Sequence, residues 1–284
     1  MRRISTATRV IDKFGAGKDG FTDGDAVAGI ASTDLEDVWF DSVQEEIANA
    51  VEVSGQTLDD ADRFQLSKAL KGRLLKTTVF TSNGTFTPLA ATRTVRARLI
   101  GGGGGGPQTA ATGAGQTCIS AGGAAGSYSE AMWPITSIGA SQAVTIGAGG
   151  TIAGIQAGAT SFGSLLTGPG GFGGSVQFGT TTSFTIAAAG VAGAAGTVSG
   201  SPLYSVLMRG TFGAPGMSLN GALLSGSGAP GLFGQGAPGG SAGGPGAGGL
   251  SFGAGGAGPA AGQSQPIQAA GAGASGVCIV EEFA

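Results

Sequence analysis

Residues 93–106 read Arg93-Thr-Val-Arg-Ala-Arg-Leu-Ile-Gly-Gly-Gly-Gly-Gly-Gly106, an alternating strand pattern that runs directly into six glycines. Val95, Ala97 and Leu99 fall on one face of such a strand, and the arginines between them fall on the other. The glycines lack the side chains from which an ordinary core is built. The pattern therefore predicts a β-strand joined to a segment that packs through its backbone.

The glycine excess continues to the end of the chain. Of the 60 glycines, 52 lie in residues 101–284, where the acidic and basic side chains are Glu130, Arg209, Glu281 and Glu282. A disordered tail is usually rich in charge. We therefore expect order built from backbone contacts, in extended strands or polyproline-II-like glycine helices that pack side by side. A disordered low-complexity tract is the alternative.

The apolar run at 276–283 needs strand partners, and we expect it to pair with the strands at 77–100. That pairing would close the glycine-rich body as a long insertion. Asn83-Gly84 is a hairpin turn signal between the short strand patterns 77–81 and 85–87. Further strand candidates are 128–133 and 143–146.

The N-terminal head contains a polar arm and two short helices. The arm covers residues 1–30. The first helix is predicted to begin near Thr33 and Glu36, which have capping-box spacing, and to stop at Gly55. The second begins near Thr57. Its later part carries Phe64, Leu66, Ala69 and Leu70, then Lys71 and Gly72. Two such helices bury too little surface for a stable core, so we expect a partner chain.

Charge is concentrated in the head. Thirteen of the 14 Lys and Arg and 14 of the 17 Asp and Glu lie in the first 100 residues. No basic block indicates nucleic-acid binding, and no apolar run reaches the ~20 residues of a membrane span. The start at Met1–Ser5 lacks a signal-peptide core, so we expect synthesis in the cytosol. Free thiols are the expected state of Cys118 and Cys278.

Catalytic motifs are incomplete. Residues 249–253 fit G-x-S-x-G, but a nucleophile elbow needs a histidine base and the chain has no histidine. Residues 101–106 contain G-x-G-x-x-G without the helix or the acid that a dinucleotide site requires. Metal ligands show no suitable spacing. The sequence predicts no enzyme, no cofactor and no metal.

These features together predict an α+β protein. A short N-terminal helical hairpin with an extended arm precedes an all-β, glycine-rich and polyproline-II-like distal domain, which the C-terminal strand closes. The predicted segments are the arm and helices at 1–76, a β-strand framework at 77–106, a glycine-rich domain at 107–275 and the closing strand at 276–284.

Several short sequence segments resemble segments of the tail fibre proteins of tailed bacteriophages and prophages. They are Phe14-Gly-Ala-Gly-Lys-Asp-Gly-Phe-Thr-Asp-Gly-Asp25, residues 39–49 and 58–62, Thr85–Pro88 followed by polyglycine, residues 158–166, and the apolar strand with acids at 277–282. The resemblance implies a homotrimeric fibre in the virion tail, made in the host cytoplasm. Residues 1–76 would trimerise and attach to a tail or baseplate protein, and the distal body would bind a bacterial surface receptor, either a glycan or an outer-membrane protein.

Two groups of side chains are candidates for these contacts. Tyr204 and Arg209 interrupt the glycine background and could bind a receptor; alternatively, Leu203, Val206 and Leu207 around them fill a small core. The other receptor candidates, which could instead anchor glycine helices, are Phe172, Phe212 and Phe233. The attachment or trimer candidates are Phe14, Phe21, Trp39, Phe40, Val43 and Ile47. For Trp39 and Phe40, packing within the helices is the alternative.

Two other functions remain open. A purely structural virion spacer or coat protein would need no receptor contact. A depolymerase-type enzyme is disfavoured because acids are scarce in the body and histidine is absent.

Overall fold

The chain divides into two compact units, Met1–Arg73 with Ala284 (unit 1) and Leu74–Phe283 (unit 2). The computed structural model describes residues 3–69, 72–151, 153–240 and 243–284. Within these residues, unit 1 holds both α-helices and unit 2 holds all the β-strands. The expectation of a mostly β body preceded by two helices is confirmed.

Unit 1 begins with an arm that has no regular helix or strand. Two isolated antiparallel bridges close the arm on itself: Val10 with Gly20, and Asp25 with Ile30. The helices are α1 (Asp37–Val53) and α2 (Gln65–Ala69). Gly55 follows α1 with a φ of +87°, a left-handed conformation that glycine adopts without strain. The predicted stop is confirmed.

The predicted capping box at the start of α1 is wrong. The Thr33 hydroxyl accepts a hydrogen bond from the Thr22 amide at 2.9 Å. The Glu36 carboxylate accepts bonds from the amide and the hydroxyl of Ser5, both at 3.1 Å. Because both side chains bond to the arm, neither caps the helix, and α1 begins at Asp37 without a side-chain cap.

Helix α2 begins later than the predicted start at Thr57. The carboxylates of Asp59 and Asp62 each accept a bond at 2.9 Å from the backbone amide two residues later in the chain. Such turns compete with helical hydrogen bonding, which explains the delay. Two residues predicted for the end of this helix, Leu70 and Lys71, lie outside the described residues.

The first sheet of unit 2 has five strands. They are β1 (Leu74–Phe80), β3 (Thr94–Ile100), β5 (Tyr128–Pro134), β12 (Tyr204–Met208) and β16 (Val277–Phe283). Their order is β1-β16-β3-β5-β12. The C-terminal strand β16 lies between β1 and β3 and is antiparallel to both. The predicted closure of the body by the C-terminus is confirmed.

The second sheet also has five strands. They are β2 (Gly84–Phe86), β6 (Gln142–Thr145), β7 (Thr160–Phe162), β8 (Leu166–Gly168) and β11 (Thr197–Val198), in the order β11-β8-β7-β6-β2. The predicted hairpin around Asn83 is wrong, because β1 pairs with β16 and β2 pairs with β6. The Asn83 side chain instead accepts a hydrogen bond from the Ile146 amide at 2.8 Å.

The main core lies between these two sheets. Trp133 and Phe162 are fully buried there, with ring centroids 6.1 Å apart. Val95, Ala97 and Leu99 point into the core, as their alternation predicted. Leu207 packs against this core, whereas its neighbours Leu203 and Val206 are 61% and 42% exposed. The Trp133 indole nitrogen donates to the Ser199 carbonyl at 2.8 Å.

Two three-stranded sheets complete unit 2. One is formed by β4 (Gln116–Ser120), β9 (Val176–Thr180) and β15 (Ala260–Ala261), and the other by β10 (Phe184–Ala187), β13 (Gly216–Leu219) and β14 (Ala222–Leu224). Their orders are β15-β4-β9 and β10-β13-β14. A small second core contains Ile119, Ala121, Ala187 and Ala260, and Leu223 packs against it.

The six glycines after β3 make close contacts in three directions. Every third glycine faces the same neighbouring segment: 168–173 for Gly101 and Gly104, 147–151 for Gly102 and Gly105, and 253–258 for Gly103 and Gly106. A Cβ atom at any of the six positions would lie 2.0 to 2.3 Å from a backbone atom. These positions therefore require glycine.

Backbone hydrogen bonds follow the same three-residue period. Consecutive amides donate to three separate segments: Gly102 to Gly158, Gly103 to Ala274 and Gly104 to Ala124, at 2.9, 2.9 and 2.7 Å. The amides of these three buried glycines are thereby satisfied although the run is not a strand.

Candidate functional site

A polar cluster occupies the face of the first sheet opposite the core. Glu130 on β5 accepts hydrogen bonds from the Tyr128 hydroxyl at 2.5 Å and the Tyr204 hydroxyl at 2.6 Å. Burial raises the pKa of Glu130, but the two hydroxyls and the nearby Arg96 and Arg98 outweigh this and hold the pKa below its ordinary 4.5. Burial and the Glu130 carboxylate raise the pKa of both tyrosines.

Two arginines of β3 and one carboxylate of β16 extend this cluster across the sheet. Arg96 and Arg98 contact the Glu281 carboxylate at 2.6 and 3.0 Å. Arg96 also lies 4.0 Å from Glu130, and its guanidinium is 5.7 Å from the ring centroid of Phe283. Two cations and two carboxylates therefore neutralise one another, and the cluster ties three adjacent strands together.

Arg209 holds a neighbouring glycine segment. Its Nε donates to the Gly193 carbonyl at 3.0 Å, and its Nη2 contacts the Ala192 carbonyl at 3.4 Å. The side chain also lines a cleft of about 220 Å³, whose other walls include Tyr128, Met208, Pro230 and Leu232. Arg209 thus serves packing, and its edge faces a small, largely apolar cleft.

The aromatic receptor candidates do not all lie on one surface. The Phe233 ring packs edge-on against Tyr128, with centroids 6.2 Å apart, and so belongs to the same surface as Tyr204. Phe212 is 65% exposed. The backbone of Phe172 bonds to Val191 and to Ala124 within the glycine-rich segments. Among the described residues, no ring contact joins Phe172 or Phe212 to the Tyr128 surface.

An exposed apolar face lies on the sheet of β10, β13 and β14. Cross-strand pairs place Phe184 beside Leu219, Ile186 beside Met217, and Met217 beside Leu224. These five side chains are 38 to 60% exposed, whereas Ser218 and Ala187 on the other face are buried. We call the five residues the apolar face. Sequence analysis missed it, although Phe184 and Ile186, and Met217 and Leu219, alternate as strand residues do.

The apolar face has no charge of its own. Between residues 107 and 276, the acidic and basic side chains are Glu130 and Arg209. Both are engaged by the internal bonds described above. A contiguous apolar surface without charge commonly marks a site of interaction.

Unit 1 gathers several of the predicted attachment residues around a cavity. The cavity has a volume of about 340 Å³, and its lining includes Phe14, Phe21, Trp39 and Arg3. The rings of Phe21 and Trp39 meet edge-on with centroids 5.0 Å apart. Sequence analysis did not single out Arg3, because nothing in its local pattern marks it as part of a site.

Helix α1 leaves most of its apolar side chains exposed. Phe40 and Ile47 are 47% and 44% exposed, Val43 is half-buried, and Val51 is buried. The Phe40 ring also packs edge-on against Trp39, with centroids 5.1 Å apart. The predicted attachment residues therefore fall into two neighbouring groups, one around the cavity and one along the helix.

Comparison with known proteins yields limited similarity. No family model matches the chain. The chain is similar to Uncharacterized protein StfP of Escherichia coli (strain K12), with 49% identity over 75 residues. The similar region is 26% of this chain and 36% of that protein, so the chain spans little more than a third of its relative's length. The relative's name assigns it no activity.

The described residues also lack some common sites. None of the helices among them combines the length and apolar content needed to cross a bilayer. They hold no group of three or more His, Cys, Asp or Glu suited to a metal ion. Cys118 and Cys278 are buried free thiols, and burial raises the pKa of Cys278 to about 12.

Proposed function

We propose that the protein is a bacteriophage tail fibre that contacts a bacterial surface receptor through unit 2. The observation that carries this proposal is the charge-free apolar face of β10, β13 and β14. A purely structural spacer or coat protein has no need to expose Phe184, Ile186 and Leu219 to water, because burying such side chains stabilises a protein by roughly 1.5–3 kcal/mol each. A receptor that covers them would recover that free energy on binding.

The glycine-rich segments would hold this face rigidly. We propose that they are polyproline-II-like helices, because the period of their contacts and hydrogen bonds is three residues, the period of that helix. Their lateral bonds would leave the strands of unit 2 little freedom to move relative to one another. Binding would then cost little conformational entropy.

Unit 1 is the proposed site of trimerisation and of attachment to a tail or baseplate protein. Its described residues bury few apolar side chains, while Phe14, Phe40, Ile47 and Phe64 are 44 to 70% exposed. A unit of this size needs additional burial to be stable. Two further copies of the chain and a tail protein would supply it, and the assembled fibre would be part of the virion tail.

Catalysis is not part of the proposal. The carboxylates of Glu130 and Glu281 are engaged by tyrosines and arginines, so neither is free to act as an acid or base. Release of sugar from host polysaccharide by the purified protein would favour a depolymerase instead.

Adsorption of phage particles tests the receptor role. Particles carrying Ile186→Ser with Leu219→Ser should adsorb to susceptible cells about tenfold more slowly than wild type, because two apolar contacts are lost. Ile267→Ser provides the matched control, since Ile267 is 57% exposed and lies outside the apolar face. Normal adsorption by assembled particles with the double substitution would contradict the proposal and favour a virion spacer.

A further inference from the structure

Charge is segregated within unit 1. Residues 3–18 contain Arg3, Arg9, Lys13 and Lys18 against a single acid, Asp12. Residues 31–60, which include α1, contain nine Asp and Glu and no Lys or Arg. One copy therefore carries a basic segment and, after residues 19–30, an acidic segment.

The basic segment presents a cation at an aromatic cavity. Arg3 lines the cavity together with Phe14, Phe21 and Trp39. Asp19 lines the same cavity and is paired with Arg9 at 2.5 Å. Within the described residues Arg3 forms no ion pair of its own, although hydrogen bonds and, to a smaller extent, the charge of Arg3 lower the pKa of Asp19. The cavity, about 340 Å³, is large enough for one bulky apolar side chain. Because Arg9 pairs with Asp19, Arg3 leaves a net positive charge at the edge of this largely apolar site.

Helix α1 carries the complementary features. Asp37, Asp41 and Glu45 recur every four residues and form a row along the helix, which runs beside the apolar residues Phe40 and Ile47. None of the three carboxylates has an ion pair in the described part of the chain. An exposed apolar row beside an acidic row matches a largely apolar cavity whose edge carries the net positive charge of Arg3.

We infer that the aromatic cavity and Arg3 of one copy receive helix α1 of a second copy. The match is between two different surfaces of the same unit, so the contact is heterologous and passes from copy to copy. Three such contacts close into a ring if the rotation between copies is one third of a turn. The inference rests on the proposed homotrimer and assigns the contact that forms it.

Two other occupants make different predictions. If α1 helices instead packed symmetrically on one another, the acidic rows would bring like charges together, and reversing Arg3 would have no effect. If the cavity received a tail protein, reversing Arg3 would weaken attachment to the tail and leave the oligomer of the isolated chain unchanged.

Charge reversal with the full-length protein tests the contact. Light scattering should show a trimer for the wild type. The dissociation midpoint, the protein concentration at which half of the trimer has dissociated, should be about tenfold higher for Arg3→Glu, and likewise for the double variant Asp41→Lys with Glu45→Lys. Combining all three substitutions should restore the wild-type midpoint, because the charges are exchanged, and this recovery excludes misfolding. Arg63→Glu makes the same charge change at an exposed site outside both surfaces and should leave the midpoint unchanged.

The outcomes separate this inference from the proposed function. A wild-type monomer at micromolar concentration would overturn the homotrimer and the inference with it. A wild-type trimer whose midpoint is insensitive to Arg3→Glu, or whose combined variant does not recover, would overturn the proposed contact alone.

Discussion

The three side-chain carboxylates that follow residue 100 each have defined hydrogen-bond or ion-pair partners. Glu282 is fully buried, and its Oε2 accepts hydrogen bonds at 2.7 Å from the Leu89 amide and the Thr92 hydroxyl. Glu281 pairs with two arginines, and Glu130 with two tyrosines. A carboxylate is costly to bury unless it is hydrogen-bonded or paired. These residues are therefore retained for packing in a body that otherwise avoids charge.

Glu130→Gln should lower the free energy of unfolding by about 1–3 kcal/mol at pH 7, because a charged acceptor of two hydroxyl hydrogen bonds is lost. The pKa of Glu130 is lowered in the folded state. Its contribution is therefore present above the ordinary value of 4.5 and is lost as pH falls through the lower folded value. Chemical denaturation from pH 7 to pH 3 should show a shallower pH dependence for the variant.

Glu52→Gln is the matched control for that experiment. Glu52 is an exposed residue near the end of α1 and lies outside the acidic row of Asp37, Asp41 and Glu45. The same isosteric change there should leave stability within about 0.5 kcal/mol of wild type. Equal pH profiles for wild type and Glu130→Gln would show that the tyrosine bonds contribute nothing to folding.

Among the structural elements, the glycine run after β3 has a strict size requirement at all six of its positions. Its neighbours approach so closely that even a methyl group has no room. Helices and strands in the described residues combine backbone hydrogen bonds with buried side chains, whereas this run is held by backbone contacts and bonds to several segments alone. Its stability therefore depends on the absence of side chains.

Gly103→Ala should lower the free energy of unfolding by about 2–4 kcal/mol, because overpacking against a fixed backbone cannot relax. Its Cβ would lie 2.0 Å from the Ala254 carbonyl oxygen. Gly262→Ala is the control, since a Cβ at Gly262 meets nothing within 4 Å. The control should change stability by no more than about 0.5 kcal/mol. Equal thermal melting of the two variants would refute close packing at Gly103.

The topology of unit 2 joins distant parts of the chain. The strand β16 pairs with β3, and everything between Gly101 and Gly276 is inserted between these neighbours. Segments of the insertion bond to one another across separations of more than a hundred residues, as Gly106 does with Gly271. Such contacts form only when the whole unit is folded, so we expect unit 2 to unfold cooperatively.

Amide hydrogen exchange should reveal this cooperativity. The amides of Gly102, Gly103 and Gly104 should exchange slowly and at nearly the same free energy, because each opens only with its neighbouring segments. Residues 26–29 of the arm are exposed and provide a fast internal reference. Exchange of the three glycines at the rate of residues 26–29 would contradict an ordered glycine-rich module.

The local alternation of apolar residues, an apolar terminal run and a helix-ending glycine were enough to predict β3, the closing strand β16, and the end of α1 at Gly55. These features depend on neighbours in the chain: a side-chain period of two, an apolar run at the terminus, and a residue that tolerates positive φ. The excess of glycine likewise indicated backbone packing. It did not indicate which segments would be neighbours.

Long-range pairing decided the remaining features. Asn83-Gly84 is a favourable turn sequence, yet β1 and β2 do not form a hairpin. Strand β1 pairs with β16 instead, and β2 pairs with β6. Tyr204 and Arg209 have binding chemistry, but Glu130 and the carbonyls of a glycine segment occupy their polar groups. The apolar face and the cavity at Arg3 combine residues far apart in sequence. Because the free energy of such contacts depends on tertiary proximity, local sequence patterns do not show which of these residues meet.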